Sequence, residues 1–354
     1  MNLTLHLTDA CNLNCAYCVH EKRERFMTAD IVHAACKLAF SQGTKAGLCF
    51  FGGEPLLCKD LICDALDECR KLEKQTGIPF SSKMTTNGIL LDDAFLARAK
   101  AENMGIGLSF EGLGQDICRN FADGSGSFDI VSEKAKLLLQ YLPFSAALMT
   151  IAPQAVSKFA ASVRYLCDLG FHNINATIAL GKKVNWTDAD MAALETQMRE
   201  IAAYYADCFL KHKPFYFSPF DSKIIECIKG YNPAERCHLG FRQMPVAVDG
   251  NIYACTQFIG DADYCIGNAF DGLDKEKQYQ IAAKASIPAS CKECELRTRC
   301  TNSCGCVNRL ETGDERKVSP LQCTYERMII SIADELGEQL FAADPDLFRQ
   351  RYIK

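Results

Sequence analysis

Six strand-like segments alternate with six helix-like ones over the first 212 residues, and that order constrains the fold more than any other feature. The strand-like segments are residues 3–7, 47–51, 81–85, 105–110, 144–150 and 173–178; the helix-like ones are 28–41, 59–76, 92–102, 128–141, 153–169 and 188–212. Short connections between alternating types call for an α/β domain with a parallel sheet. Leu48, Cys49, Phe50 and Phe51 run without polar interruption, as expected of a strand covered on both faces. The pattern leaves open a doubly wound sheet and an incomplete (β/α)6 barrel. In either, ligands gather beyond the carboxyl ends of the strands.

From about residue 215 the pattern changes. The aromatic, proline-bearing stretch 214–220 (PFYFSPF) leads into short strands, with Asp249-Gly250 well suited to a hairpin turn. The aromatic stretch is expected to pack between domains, with peptide binding as the alternative. Cysteines then crowd residues 291–323, and an amphipathic helix near 333–342 closes the chain. This divides the chain into 1–215 and 216–354, the second part loop-rich, with a small core to which bound metal contributes stability.

Of 354 residues, 48% are hydrophobic and the formal charge is −5, which excludes a disordered chain and disfavours a nucleic-acid partner. No apolar run approaches the ~18–20 residues of a membrane span, and the first residues lack a signal peptide's basic start and apolar core. A soluble, cytoplasmic protein is expected. In such a reducing compartment, 21 cysteines are read first as metal or redox ligands.

Cys11, Cys15 and Cys18 form C-x3-C-x2-C directly after the first strand. Three thiolates this close can hold three corners of a 4Fe–4S cubane and leave the fourth iron for substrate or cofactor. The alternatives are a zinc site completed by His20 and three unrelated core thiols.

With Tyr17 before the last cysteine, the triplet resembles that of the radical S-adenosylmethionine enzymes. Gly52-Gly53-Glu54-Pro55 after the second strand resembles the same family's Gly-Gly-Glu-Pro motif, where glycines admit the methionine end and Glu54 pairs with its ammonium. Thr86-Asn87-Gly88 is similar to its Thr-Asn-Gly turn. Ser109-Phe110-Glu111-Gly112 is similar to its Ser-x-Asp-Gly, with Glu111 where Asp is usual. Arg119 stands near the place of a cofactor-holding arginine, at a spacing about two residues short. A serine hydroxyl suits ribose and an arginine fork suits carboxylate.

The resemblance implies a barrel rather than an open sheet, and an oxidoreductase in which an electron cleaves S-adenosylmethionine and the resulting 5′-deoxyadenosyl radical takes a hydrogen atom from substrate. An external electron donor, such as flavodoxin or ferredoxin, is implied as a partner.

Cys237-x12-Gly250-x4-Cys255, followed by Cys291-x2-Cys294-x5-Cys300-x3-Cys304 and then Cys323, resembles the SPASM extension of such enzymes. That resemblance implies two auxiliary 4Fe–4S clusters, three in all. One would use Cys291, Cys294, Cys300 and Cys323. The other would use Cys237, Cys255 and Cys304, with Cys227 as the upstream fourth ligand or an open iron for a substrate thiolate. Cys306, which the pattern puts one turn from Cys304 on a loop, is a substitute for it. A zinc ribbon is the alternative, and it accounts for only four of these thiols. The remaining nine cysteines (Cys36, Cys49, Cys58, Cys63, Cys69, Cys118, Cys167, Cys208 and Cys265) are expected to pack, although Cys118 sits beside Arg119.

SPASM enzymes, by resemblance, act on a ribosomally made precursor peptide or protein, forming thioether or carbon–carbon crosslinks or maturing sulfatases. The sulfatase-maturating members carry an Asp base after the second SPASM cysteine, where this chain has Thr256. A crosslinking maturase is therefore the expectation, with sulfatase maturation and a non-enzymatic electron carrier as alternatives. The first strand starts at residue 3, without the leader-binding domain of many peptide maturases. Leader recognition then falls to the barrel, the SPASM surface or a separate protein.

Overall fold

The structure, a computed structural model, describes all residues except 182, 231–237, 243, 285, 286 and 354. Six parallel strands stand side by side in chain order: β1 (Asn2–His6), β2 (Ala46–Phe51), β3 (Phe80–Thr86), β4 (Gly105–Ser109), β5 (Ala146–Ile151) and β6 (Asn173–Ile178). β1 and β6 do not pair, so the barrel is incomplete. The crossover helices begin where side chains satisfy their first amides. Asp92 accepts from Phe95 N at 2.8 Å before the Asp93–Ala101 helix, and Thr187 and Asp190 form a reciprocal capping box before Asp188–Leu210.

The sheet continues beyond the six strands at both edges. β7 (Tyr216–Phe217) joins β6 in parallel, and β8 (Met244–Val246) joins β1 in parallel, Thr4 opposite Pro245. β9 (Asn251–Tyr253), β10 (Cys265–Asn268) and β11 (Gly272–Leu273) then follow antiparallel. The Asp249-Gly250 turn joins β8 to β9, with Gly250 at φ +85°.

This continuity alters the expectation of a small separate core. Val246, Ile252, Ile266 and Ile281 belong to the same buried cluster as Leu5, Phe50 and Leu108 of the barrel. More of the C-terminal region is helical than the sequence suggested. The 214–220 stretch buries Phe215, Phe217 and Phe220 and opens the Ser218–Lys229 helix, Pro219 fitting its first turn. The closing helix runs from Pro320 to Ala343 and carries Cys323, and a further helix, Pro345–Tyr352, follows. No helix among the described residues is long and apolar enough to cross a membrane.

Candidate active site

At the carboxyl ends of the barrel strands lies a cavity of about 490 Å³, lined by Cys11, Cys15, Tyr17 and Cys18, by Gly52, Gly53 and Glu54, and by Asn87, Ser109 and Arg119. Every cysteine and cofactor-binding position expected in the barrel thus meets in one place. The volume falls within the ~300–1,000 Å³ usual for small-molecule sites.

The loop after β1 holds the three cysteines, and its path depends on the two glycines. Gly53 N donates to Thr8 O at 2.7 Å and Glu54 N to Ala10 O at 2.9 Å. A Cβ on Gly53 would lie 2.1 Å from Ala10 O, and one on Gly52, at φ +132°, 2.6 Å from Thr8 O. The pair is needed for contact between the end of β2 and the root of the cysteine loop, beyond any closeness to a ligand. Opposite, Asn14–Cys15 pairs antiparallel with Arg119–Asn120, and Ala16 N donates to Cys118 O at 2.8 Å.

Glu54 is buried and already holds three donors: Thr86 Oγ1 at 2.7 Å, Asn87 N at 2.8 Å and Leu56 N at 3.0 Å. It ties the ends of β2 and β3 together. Burial pushes its pKa up, and these hydrogen bonds oppose the shift. Asn87 donates to Asn12 Oδ1 at 2.8 Å, steadying the residue beside Cys11.

The sequence reading passed over Glu111 as a site residue, yet it is the hub of the opposite wall. Its Oε1 accepts from Arg119 Nε at 3.0 Å and from the Tyr17 hydroxyl; its Oε2 accepts from Thr150 N at 2.7 Å. Arg119 also lies over the Tyr17 ring, 5.7 Å from its centroid. Among the described residues the Nη atoms of Arg119 make no hydrogen bond, and the residue lines the cavity. The acid in Ser-Phe-Glu-Gly was the available signal.

Burial raises the pKa of the Cys11 and Cys15 thiols, against which Arg119 acts at Cys15. Metal binding would drive both to thiolate. His20, the fourth ligand of the zinc alternative, lines the cavity and packs beside His6, ring centroids 5.2 Å apart; burial lowers its pKa to about 4. Three thiols, a hydroxyl, an amide and a free guanidinium face suit an iron–sulfur cluster with a polar, carboxylate-bearing cofactor.

The C-terminal region supplies the remaining wall through Gln257, Val307 and Leu310. Gly181 N donates to Glu311 Oε1 at 2.6 Å, and Lys183 Nζ to Cys18 O at 3.0 Å, so the loop after β6 bridges the two.

The auxiliary thiols fall into two groups. Cys291, Cys294, Cys300 and Cys323 line one small cavity, with Glu326 and Arg327 beside them. Cys255 and Cys304 line a second cavity, of about 650 Å³, together with Cys306. Cys237 lies outside the described residues. Cys227 departs from expectation: it is exposed on the Ser218–Lys229 helix and does not line that cavity. Cys304 and Cys306 do not share a loop; Cys304 caps the Gly305–Thr312 helix and Cys306 is its second residue. Among the described residues no three His, Cys, Asp or Glu side chains converge on a single ion position. A cubane instead takes thiolates at its corners, around a volume.

Of the other nine cysteines, Cys36, Cys69 and Cys118 are buried, and burial pushes Cys118 up to about 12. Cys49 lines the second cavity rather than packing away from it.

Comparison with known proteins agrees with this geometry. The chain is 26% identical to an uncharacterized protein of Methanocaldococcus jannaschii over 185 residues, which are 51% of this chain and 64% of that protein, less than two thirds of its length. It is 20% identical to a cysteine-type anaerobic sulfatase-maturating enzyme of Clostridium perfringens, over 90% of each. Among solved structures, that of anSMEcpe with bound AdoMet and Cp18Cys peptide superposes with a TM-score of 0.81 at 18% identity, covering 97% of this chain and 100% of that one. Streptococcus suis SuiB bound to precursor peptide SuiA gives 0.65 at 16% identity, covering 91% and 75%. These likenesses establish the α/β fold along nearly the whole chain, the cysteine-rich region included. Residues 5–194 match the profile of the Radical SAM superfamily, so the chain belongs to that superfamily and is an enzyme of the 4Fe–4S cluster and S-adenosylmethionine.

Proposed function

We propose that this enzyme is a maturase that removes hydrogen from a ribosomally made peptide or protein and closes an intramolecular thioether or carbon–carbon crosslink. One observation carries the reading: the cavity holding Cys11, Cys15 and Cys18 is also lined by Gln257, Val307 and Leu310 of the cysteine-rich region, two of them close in sequence to Cys255 and Cys306. A substrate entering there meets both the radical source and the region that bears the auxiliary thiols. The peptide complexes of anSMEcpe and SuiB support a peptide as substrate.

When bound, the cluster and S-adenosylmethionine supply the 5′-deoxyadenosyl radical. In this reading Cys11, Cys15 and Cys18 hold the cluster, and Ser109, Asn87 and Arg119 orient the cofactor. Glu54 and Glu111 fix the walls, and the apolar side chains of Leu148, Val307 and Leu310 exclude water. Thioether formation removes two hydrogens from the peptide. One leaves as an atom from carbon, the other as a proton from the thiol, and the one electron left over would be taken up by an auxiliary cluster, of which we propose two, held by the C-terminal thiols. A small one-electron donor, of the flavodoxin or ferredoxin kind, completes the reading.

Sulfatase maturation remains the second reading, favoured by the likeness to the Clostridium perfringens enzyme along 90% of both chains. Thr256, 4.0 Å from Cys255 Sγ through its hydroxyl, cannot serve as the carboxylate base that reading needs.

The test is anaerobic incubation of the reduced enzyme with S-adenosylmethionine and cysteine-containing peptides, followed by mass spectrometry. Loss of two hydrogens with sulfur retained is the expected product. Replacement of sulfur by oxygen would select the sulfatase reading, and no 5′-deoxyadenosine under any condition would sink both.

A further inference from the structure

We infer that Cys306 is a protein ligand of the first auxiliary cluster, standing with Cys255 and Cys304 in the role that the spacing gave to Cys227. The inference deepens the proposed function and rests on its premise that the C-terminal region carries auxiliary clusters.

Geometry is the first ground. The Sγ atoms of Cys304 and Cys306 are 3.5 Å apart, and the Cys306 thiol also shares a hydrogen bond with the Cys255 thiol. Cys306 is 6% exposed and all three thiols border the 650 Å³ cavity, which has ample room for a cubane. Cys227 borders neither this cavity nor the one at Cys291.

Charge is the second ground. Lys83 lines the cavity. A cubane held by thiolates is an anion, and a nearby ammonium suits it. Cys304 and Cys306 also stand in the first turn of the Gly305–Thr312 helix, whose amide end favours negative charge.

Local structure is the third. Cys304 is the N-cap and Gly305 is buried behind it, so the two thiols project from adjacent points of one turn.

The test uses the full chain, reconstituted anaerobically, with iron, acid-labile sulfide and electron paramagnetic resonance of the reduced protein as readouts. The wild type should carry ~12 irons in three cubanes. Cys306→Ala should lose about four irons and sulfides. Cys306→Ser should shift the g-values of one auxiliary signal, because an alkoxide replaces a thiolate in a site that still forms. Cys227→Ala should leave both content and spectrum unchanged. Full iron in Cys306→Ala with a Cys306→Ser spectrum superimposable on wild type overturns the inference while the auxiliary clusters stand. So does loss of about four irons in Cys227→Ala. A wild type holding about four irons and stoichiometric zinc would instead remove the auxiliary-cluster reading, and this inference with it.

Discussion

Glu111 grips Arg119 at 3.0 Å through the same carboxylate oxygen that receives the Tyr17 hydroxyl, so one buried acid positions both the arginine and the aromatic residue beside Cys18. Arg119 reaches the cavity only in the orientation this contact allows. Glu111→Gln removes the charge and should raise the dissociation constant for S-adenosylmethionine by about 10-fold or more, since a hydrogen bond to a charged group contributes ~1.5–3 kcal/mol. Equilibrium dialysis on the reconstituted protein measures it. An unchanged constant would show that Arg119 needs no such partner.

Gly53 offers a second test. An alanine there would thrust its Cβ to within 2.1 Å of Ala10 O, next to Cys11, with only backbone to give way. Gly53→Ala should displace the cysteine loop, so that iron and sulfide fall by about four per chain while the auxiliary signals persist. Full iron content would mean the loop accommodates the methyl group.

Val307 separates cofactor chemistry from substrate chemistry. It lies on the cavity wall contributed by the Gly305–Thr312 helix. Val307→Trp should abolish peptide modification yet leave slow, peptide-independent formation of 5′-deoxyadenosine within about 2-fold of wild type, because uncoupled cleavage needs no substrate. Equal loss of both would place Val307 in cofactor binding.

The chain's last helix is docked by a buried ion pair. Arg351 donates to Asp221 Oδ1 at 2.9 Å and to Phe215 O at 2.7 Å, while Tyr205 and Tyr352 complete the network. Arg351→Leu strands a buried carboxylate and should cost ~3–5 kcal/mol near neutral pH. Burial raises Asp221 above its ordinary 3.8 even with Arg351 present, and without it the pKa rises further. A folded-state pKa above the unfolded one means the native state holds the proton more tightly. The variant's deficit should therefore shrink as pH falls toward 5 and grow as pH rises through the folded value. Urea unfolding of the anaerobic protein at several pH values, followed by Trp186 fluorescence, reads this; a pH-independent deficit would rule the mechanism out.

The parts of this molecule that repeat a simple period were legible in its sequence. The strands β1 to β6 stood out because each is short, apolar and followed by a helix with an identifiable start, such as Asp92 or Thr187. The cysteine triplet and Gly52-Gly53 were legible because their spacing is local. What escaped depended on contacts distant in sequence. Glu111 meets Tyr17 across 94 positions, and nothing near either residue announces the other. Cys306 was legible only as a substitute for Cys304; its place beside Cys255 depends on the Gly305–Thr312 helix. The Ser218–Lys229 helix was hidden because a run of aromatics reads as a strand or linker, while Pro219 at its first turn is equally a helix start.

The parallel pairing of β8 with β1 has a mechanical consequence. The loop bearing Cys11 leaves one strand, and the hairpin leading to Cys255 leaves its immediate neighbour, with Leu3, Thr4 and Leu5 in register with Met244, Pro245 and Val246. The two sets of thiols are thus mounted on a common frame, not on modules free to swing apart. In the proposed reading, an electron passing from one set to the other crosses a gap whose width is set by backbone ladders.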